Sequence, residues 1–203
     1  MYTYLALGDS YTIGESVPLS ESFPHMLAAQ LTGKGLPVSQ PHIIATTGWT
    51  TDELQAAIQA ERPVGPFDLV TLLIGVNNQY RGYAMDIYQK EFAALLDQAI
   101  GFAGGRTDHV FVVSIPDWGV TPFGKASGRP VDQTGSEIDS FNALNREESE
   151  RRQVSYTDIT PGSRAAADDL SLVAADGLHY SGKMHALWAS EVAAKVLDKL
   201  GVR

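Results

Sequence analysis

The stretch LALGDSYTIGES, Leu5–Ser16, begins as an apolar run and breaks at Gly8-Asp9-Ser10. An apolar run of this kind is read as a β-strand, here Tyr2–Leu7, and a helical turn beginning at Ser10 would aim its free backbone N–H groups at an incoming anion. In an open α/β sheet, ligands bind beyond the carboxyl ends of the strands, which is where Ser10 stands. The same three residues also suit an ordinary turn in which Asp9 or Ser10 caps a helix. The rest of the chain decides between the two readings.

Outward from this stretch, short apolar runs alternate with segments of helical period. The pattern predicts helices over Phe23–Leu31, Thr51–Glu61, Ile87–Ala103, Glu137–Arg151 and about Met184–Leu200. It predicts further strands at His42–Thr46, Asp68–Ile74, His109–Ile115 and Val154–Ile159, the last weaker and suited to an edge. Ser22 is a candidate cap for the first long helix, Thr50 or Thr51 for the second and Ser181 for the final one. Trp188 falls on the core stripe of that final helix. Thr121–Thr134, rich in small residues and without periodicity, is expected to be a long functional loop. No repeat or linker divides the chain, so residues 1–203 are expected to form one domain. Five strands interleaved with helices imply a parallel sheet covered on both faces.

Composition narrows the function. With 203 residues, 44% of them apolar, the chain can bury a substantial core. Fifteen Lys and Arg face 24 Asp and Glu, a net charge of -9, which opposes binding to nucleic acid. Cysteine is absent, which removes disulfides, thiolate metal sites and a cysteine nucleophile. No apolar run approaches the length of a membrane span, and no signal peptide is visible. The chain is therefore read as cytoplasmic, with a trimmed secreted or periplasmic form as the alternative.

Four polar blocks stand where chemistry would sit. Gly8-Asp9-Ser10 follows the first strand. ATTGWTTDEL follows the second, and its Gly48 offers a backbone N–H for an oxyanion. LLIGVNNQY follows the third, and the Asn77 side chain is an amide donor. DGLHYS lies before the last helix, with Asp176 spaced to orient His179 as a general base. Each block taken singly is also a plausible turn. The other histidines, His25, His42, His109 and His185, fall within helices or at strand starts and are read as structural or solvent-facing. Asp168-Asp169 is read as an exposed acidic turn. No zinc spacing, phosphate loop or dinucleotide fingerprint is present.

Taken in order, the blocks GDSYTIG, TTGWTT, IGVNN and DGLHYS resemble those of the SGNH hydrolases, the GDSL-like lipase/esterase family. The resemblance spans Gly8 to His179. It implies a flavodoxin-like α/β/α sandwich of about five parallel strands and a serine hydrolase acting on small-molecule carboxylic esters. It implies Ser10 as nucleophile, His179 as base and Asp176 as its partner. It further implies an oxyanion hole of the Ser10 and Gly48 N–H groups and the Asn77 side chain, with neither metal nor cofactor. Small acyl esters, acetylated sugars and lysophospholipids are the substrate classes considered. Tyr11, Trp49, Trp118 and Phe123 are expected to edge the pocket. Two positions depart from the family pattern: Asn78 replaces the usual Asp, and Tyr11 a usual Leu or Ile. A catalytically silent binding module on the same scaffold is the main alternative. A phosphate- or nucleotide-binding flavodoxin-like protein is a further one, disfavoured by the negative charge and by the lack of Lys or Arg near the first loop.

Overall fold

The protein is described by a computed structural model covering residues 1–201. Its centre is a five-stranded sheet of β1 (Tyr4–Gly8), β2 (His42–Ala45), β3 (Leu69–Leu73), β4 (Val110–Val113) and β5 (Ser155–Thr157). The spatial order is β2-β1-β3-β4-β5, every neighbouring pair is parallel, and the short β5 lies at an edge. Strands β1, β3 and β4 are buried along their whole length, which explains their near-continuous apolar sequence. A polar pair inside this sheet is matched internally: the Tyr4 hydroxyl and Thr71 Oγ1 lie 2.9 Å apart.

The connections are helical. Between β1 and β2 run α1 (Ser10–Ile13) and α2 (Phe23–Gly33). The helix α3 (Thr51–Glu61) joins β2 to β3, and α4 (Val76–Tyr80) and α5 (Met85–Phe102) join β3 to β4. After β4 come α6 (Pro122–Ala126) and α7 (Val131–Arg151), and after β5 come α8 (Thr160–Ser163) and the closing α9 (Gly182–Lys199). The sheet grows in one direction from β1 to β2 and in the other from β3 onward. Right-handed crossovers therefore send helices to opposite faces: α2 packs with α9, and α5 packs between α3 and α7. Trp188, on the inner stripe of α9, is fully buried.

Several sequence expectations shift locally. The first strand starts at Tyr4, because Tyr2 makes only an isolated bridge to Val38. His109 lies in a 3-10 turn, and its strand begins one residue later. The expected loop over Thr121–Thr134 is instead mostly helical. Thr121 Oγ1 accepts the Gly124 N–H at 3.1 Å, Pro122 starts α6, and α7 begins at Val131 rather than Glu137. Small residues masked the period there: Gly124 packs against the Trp118 and Gly119 backbone, where no larger side chain fits. Of the expected caps, Thr50 is held in a capping box with Glu53, whereas the Ser22 and Ser181 side chains bond elsewhere.

Gly8 is needed for space. A Cβ there would sit 2.3 Å from the Leu73 carbonyl oxygen and 2.1 Å from Thr12 Oγ1. Gly8→Ala is therefore expected to destabilise the fold by about 1–3 kcal/mol as an overpacking substitution. The check is the urea midpoint, and an unchanged midpoint would show that β1 and β3 yield freely at this point.

Candidate active site

The sheet order changes direction between β1 and β3, and the carboxyl ends of these two strands meet at the paired residues Gly8 and Leu73. Ser10 and Asn77 follow these ends. Asp9 is the N-cap of α1, so Ser10 occupies the first helical position, where the N–H has no intrahelical acceptor. Across the crevice lies the segment leading to α9, which carries His179. A cavity of about 190 Å³ is lined by Ser10, Tyr11, Asn77, Trp118, Phe123 and His179, together with Val76, Tyr80 and Leu178.

Asp176 and His179 form a tight local unit. Asp176 Oδ2 lies 2.6 Å from His179 Nδ1, and Oδ1 accepts the backbone N–H groups of Leu178 and His179, each at 2.9 Å. Ser16 Oγ donates to the same Oδ2 at 2.7 Å, although Ser16 lies far away in sequence and adopts a positive φ of 65°. Burial acts to raise the Asp176 pKa, but hydrogen bonds from His179, Leu178 and Ser16 outweigh it and hold the carboxyl well below the usual range. A carboxylate on Nδ1 favours the tautomer with the proton there, leaving the Nε2 lone pair free. The Tyr11 ring meets the imidazole edge-on, with centroids 5.8 Å apart.

On the other wall, one turn of helix positions the loop around Gly48. Asn77 Nδ2 donates to the Trp49 carbonyl at 2.8 Å. Asn78 Oδ1 accepts the Thr51 N–H at 3.1 Å, and its Nδ2 donates to Thr51 Oγ1 at 2.7 Å. Arg81 Nη2 donates to the Gly48 carbonyl at 2.6 Å. Gly48 has φ 89°, a left-handed conformation that glycine adopts without strain, and its N–H has no acceptor among the described residues. Asn78 thus makes a two-bond clasp on Thr51. The amide donates to the Thr51 hydroxyl, which in turn donates to the Glu91 carboxylate. An Asp at position 78 would reverse that first donation.

Some expected site residues are not part of the cavity's lining. Gly48, Trp49 and Asp176 do not line it. Trp49 packs, half-buried, against the core and contributes its carbonyl to Asn77. Sequence reading missed Val76, Tyr80, Leu178, Ser16 and Arg81. Tyr80 stands one helical turn beyond Asn77, and Leu178 adjoins His179, so proximity to the motifs was the available signal. Ser16 carried no signal of this kind. The remaining histidines stay outside the cavity: His25 bonds Ser22, His42 pairs with Glu61, His109 lies 2.7 Å from the Asp68 carbonyl, and His185 accepts the Phe23 N–H. Asp168 is exposed as expected, and Asp169, half-buried, pairs with Lys183. Among the described residues, no group of three or more His, Asp or Glu is arranged to hold a metal.

The sequence matches the model of the GDSL-like lipase/acylhydrolase family over residues 6–187. The chain belongs to this family. Membership supports an ester-hydrolysing enzyme. Comparison with curated protein sequences gives no significant match. The fold is similar to that of TesA, with a TM-score of 0.76 and 17% identity, covering 97% of this chain and 99% of that one. It is also similar to the psychrotrophic esterase EstA from Pseudoalteromonas sp., with a TM-score of 0.70 and 16% identity, covering 99% and 100%. Axe2, an acetylxylan esterase from Geobacillus stearothermophilus, gives a TM-score of 0.68 and 17% identity, covering 100% and 95%. No helix among the described residues is long and apolar enough to cross a membrane.

Asp9 lies beneath this family's serine block with no exposure to solvent. Its Oδ1 accepts the Tyr11 N–H at 3.1 Å, while Oδ2 has no partner. Burial pushes its pKa up from 3.8 to about 7, against the lowering effect of backbone N–H groups. Between these values the unfolded chain has lost the proton that the folded chain keeps. Stability is therefore highest below the unfolded pKa and falls as pH rises toward 7. Asp9→Asn is expected to remove this decline, so the urea midpoint of the native protein should drop more between pH 5 and pH 8 than that of the variant. His185, which burial lowers to about 4, contributes the opposite trend on the acid side but is common to both proteins. Parallel midpoint curves would show that Asp9 stays ionised.

Proposed function

We propose that the chain is a serine esterase that cleaves carboxylic esters through an acyl-enzyme. The observation that carries this reading is that Ser10 and His179 line one cavity, with the imidazole hydrogen-bonded from behind to Asp176. His179 Nε2 takes the Ser10 hydroxyl proton as Oγ attacks the ester carbonyl. Asp176 holds the imidazole tautomer and stabilises the imidazolium that forms. The carbonyl oxygen becomes an oxyanion facing the Ser10 and Gly48 N–H groups and the second N–H of Asn77, whose first is anchored on Trp49. Collapse breaks the bond to the alcohol, which leaves with the proton from His179. Water, deprotonated by the same imidazole, then attacks the acyl-enzyme and returns Ser10 to its free form. Ser16 adds a hydrogen bond to Asp176 that steadies a carboxylate whose side chain is one-third exposed. Small acyl esters, acetylated sugars and lysophospholipids are the candidate substrate classes, among which the size of the cavity would select.

Ser10→Ala is expected to reduce kcat/KM for a short-chain aryl ester by on the order of 10⁵-fold while the circular dichroism spectrum stays native. Retained turnover in that variant would remove Ser10 from the mechanism. A fluorophosphonate should label the native protein at Ser10, and an intact protein that is neither labelled nor active would point to a silent binding module. Asn77→Ala is expected to lower kcat by about 10²-fold with little change in KM. A change confined to KM would mean that Asn77 grips the ground state alone.

A further inference from the structure

The cavity's far wall is held in place by groups that never touch it. Trp118, Tyr80 and Phe123 form this wall, with Tyr80–Trp118 centroids 5.4 Å apart and Trp118–Phe123 centroids 6.2 Å apart. Trp118 is buried, and its indole N–H donates to Gln79 Oε1 at 2.8 Å. The other end of that amide donates to Glu137 Oε2 at 2.6 Å, and Gln133 donates to Glu137 Oε1 at 2.8 Å. The indole plane is therefore locked to α7 through a polar relay with no free member. Tyr80 is the less constrained partner: it ends the five-residue α4 and is 47% exposed. Arg129, from the segment between α6 and α7, reaches across to it. Its Nη2 donates to the Tyr80 carbonyl at 3.0 Å, and its guanidinium carbon lies 5.2 Å from the Tyr80 ring centroid and 5.9 Å from that of Trp118. Its charge also draws on Glu137.

We infer that Arg129 and the Glu137–Gln79 pair are positioning residues for acyl selection: by clamping Tyr80 and Trp118 they restrict the site to esters of compact acyl groups, short aliphatic or single-ring. This rests on the serine-esterase reading. The volume agrees with it, since an apolar cavity of about 150 Å³ takes up benzene, and about 190 Å³ is only slightly larger. A wall that gave way would let a longer chain run between Tyr80 and Trp118. A fixed one turns excess methylenes back into solvent and forfeits their burial. Arg129 is exposed, so its removal leaves the core intact.

The test is the chain-length profile of kcat/KM on p-nitrophenyl acetate, butyrate, octanoate and dodecanoate, with benzoate as the single-ring ester. The native enzyme should prefer acetate, butyrate or benzoate to dodecanoate. Arg129→Ala should raise the dodecanoate-to-butyrate ratio by about tenfold, the scale on which hydrophobic pockets discriminate, with acetate turnover unchanged. Glu137→Ala should move the ratio in the same direction by freeing Gln79, and Arg129→Lys should fall between native and Arg129→Ala. An unchanged ratio in both alanine variants, with acetate turnover and melting temperature retained, overturns the role of the clamp. A native preference for dodecanoate overturns the compact-acyl assignment. Loss of turnover on every ester by the native protein is a different result, because it overturns the esterase reading itself and this inference with it.

Discussion

At the carboxyl ends of β1 and β3 the two backbones come so close that the Leu73 carbonyl occupies the place where a side chain on Gly8 would begin. Because these strands pair in register from Tyr4–Leu69 to Gly8–Leu73, both chains leave the sheet at the same level. They leave it at the point where the strand order reverses, so no crossover helix covers the gap. Ser10 and Asn77 therefore face one crevice, although 67 positions separate them. A side chain at position 8 would push apart the ends that bring them together. The site's geometry is thus an outcome of sheet packing before any polar contact is made.

The second organising unit is the short helix after β3. Asn77 anchors the Trp49 carbonyl, Asn78 clasps Thr51, Gln79 orients Trp118, Tyr80 lines the cavity, and Arg81 bonds the Gly48 carbonyl. Five consecutive residues point in different directions because a helix turns about 100° per residue. One turn can therefore hold a loop on one side and an aromatic wall on the other. Packing against α7, through Gln79–Glu137 and the contacts of the two helices, keeps so short a helix from fraying.

Two carboxylates near the serine block show how environment assigns different states to one chemical group. Asp9 is sealed, makes a single side-chain hydrogen bond and is pushed toward neutrality. Asp176 is partly open to water, accepts four hydrogen bonds and is held ionised. Desolvation wins at Asp9 and hydrogen bonding at Asp176. The proposed chemistry needs the second state, since a neutral acid would not stabilise an imidazolium on His179.

The local pattern of the chain was enough to place five strands, the long helices and four polar blocks after strand ends, because burial on both faces and helical period write themselves into neighbouring residues. It misplaced Thr121–Thr134, where glycine and small residues serve packing against Trp118 and hide the helical repeat. It brought Asp176 to His179, since three positions of separation suffice for that contact. The contacts of Ser16, Arg81 and Arg129 and the upward push on the Asp9 pKa came only from the tertiary structure. Each depends on a partner brought from a distant segment, or on the exclusion of water, and neither leaves a periodic trace in the sequence. What the residues by themselves determined was the kind of sheet and the groups available at its rim. Which of those groups meet, and in what state of charge, was decided by the folding of that sheet around its β1–β3 junction.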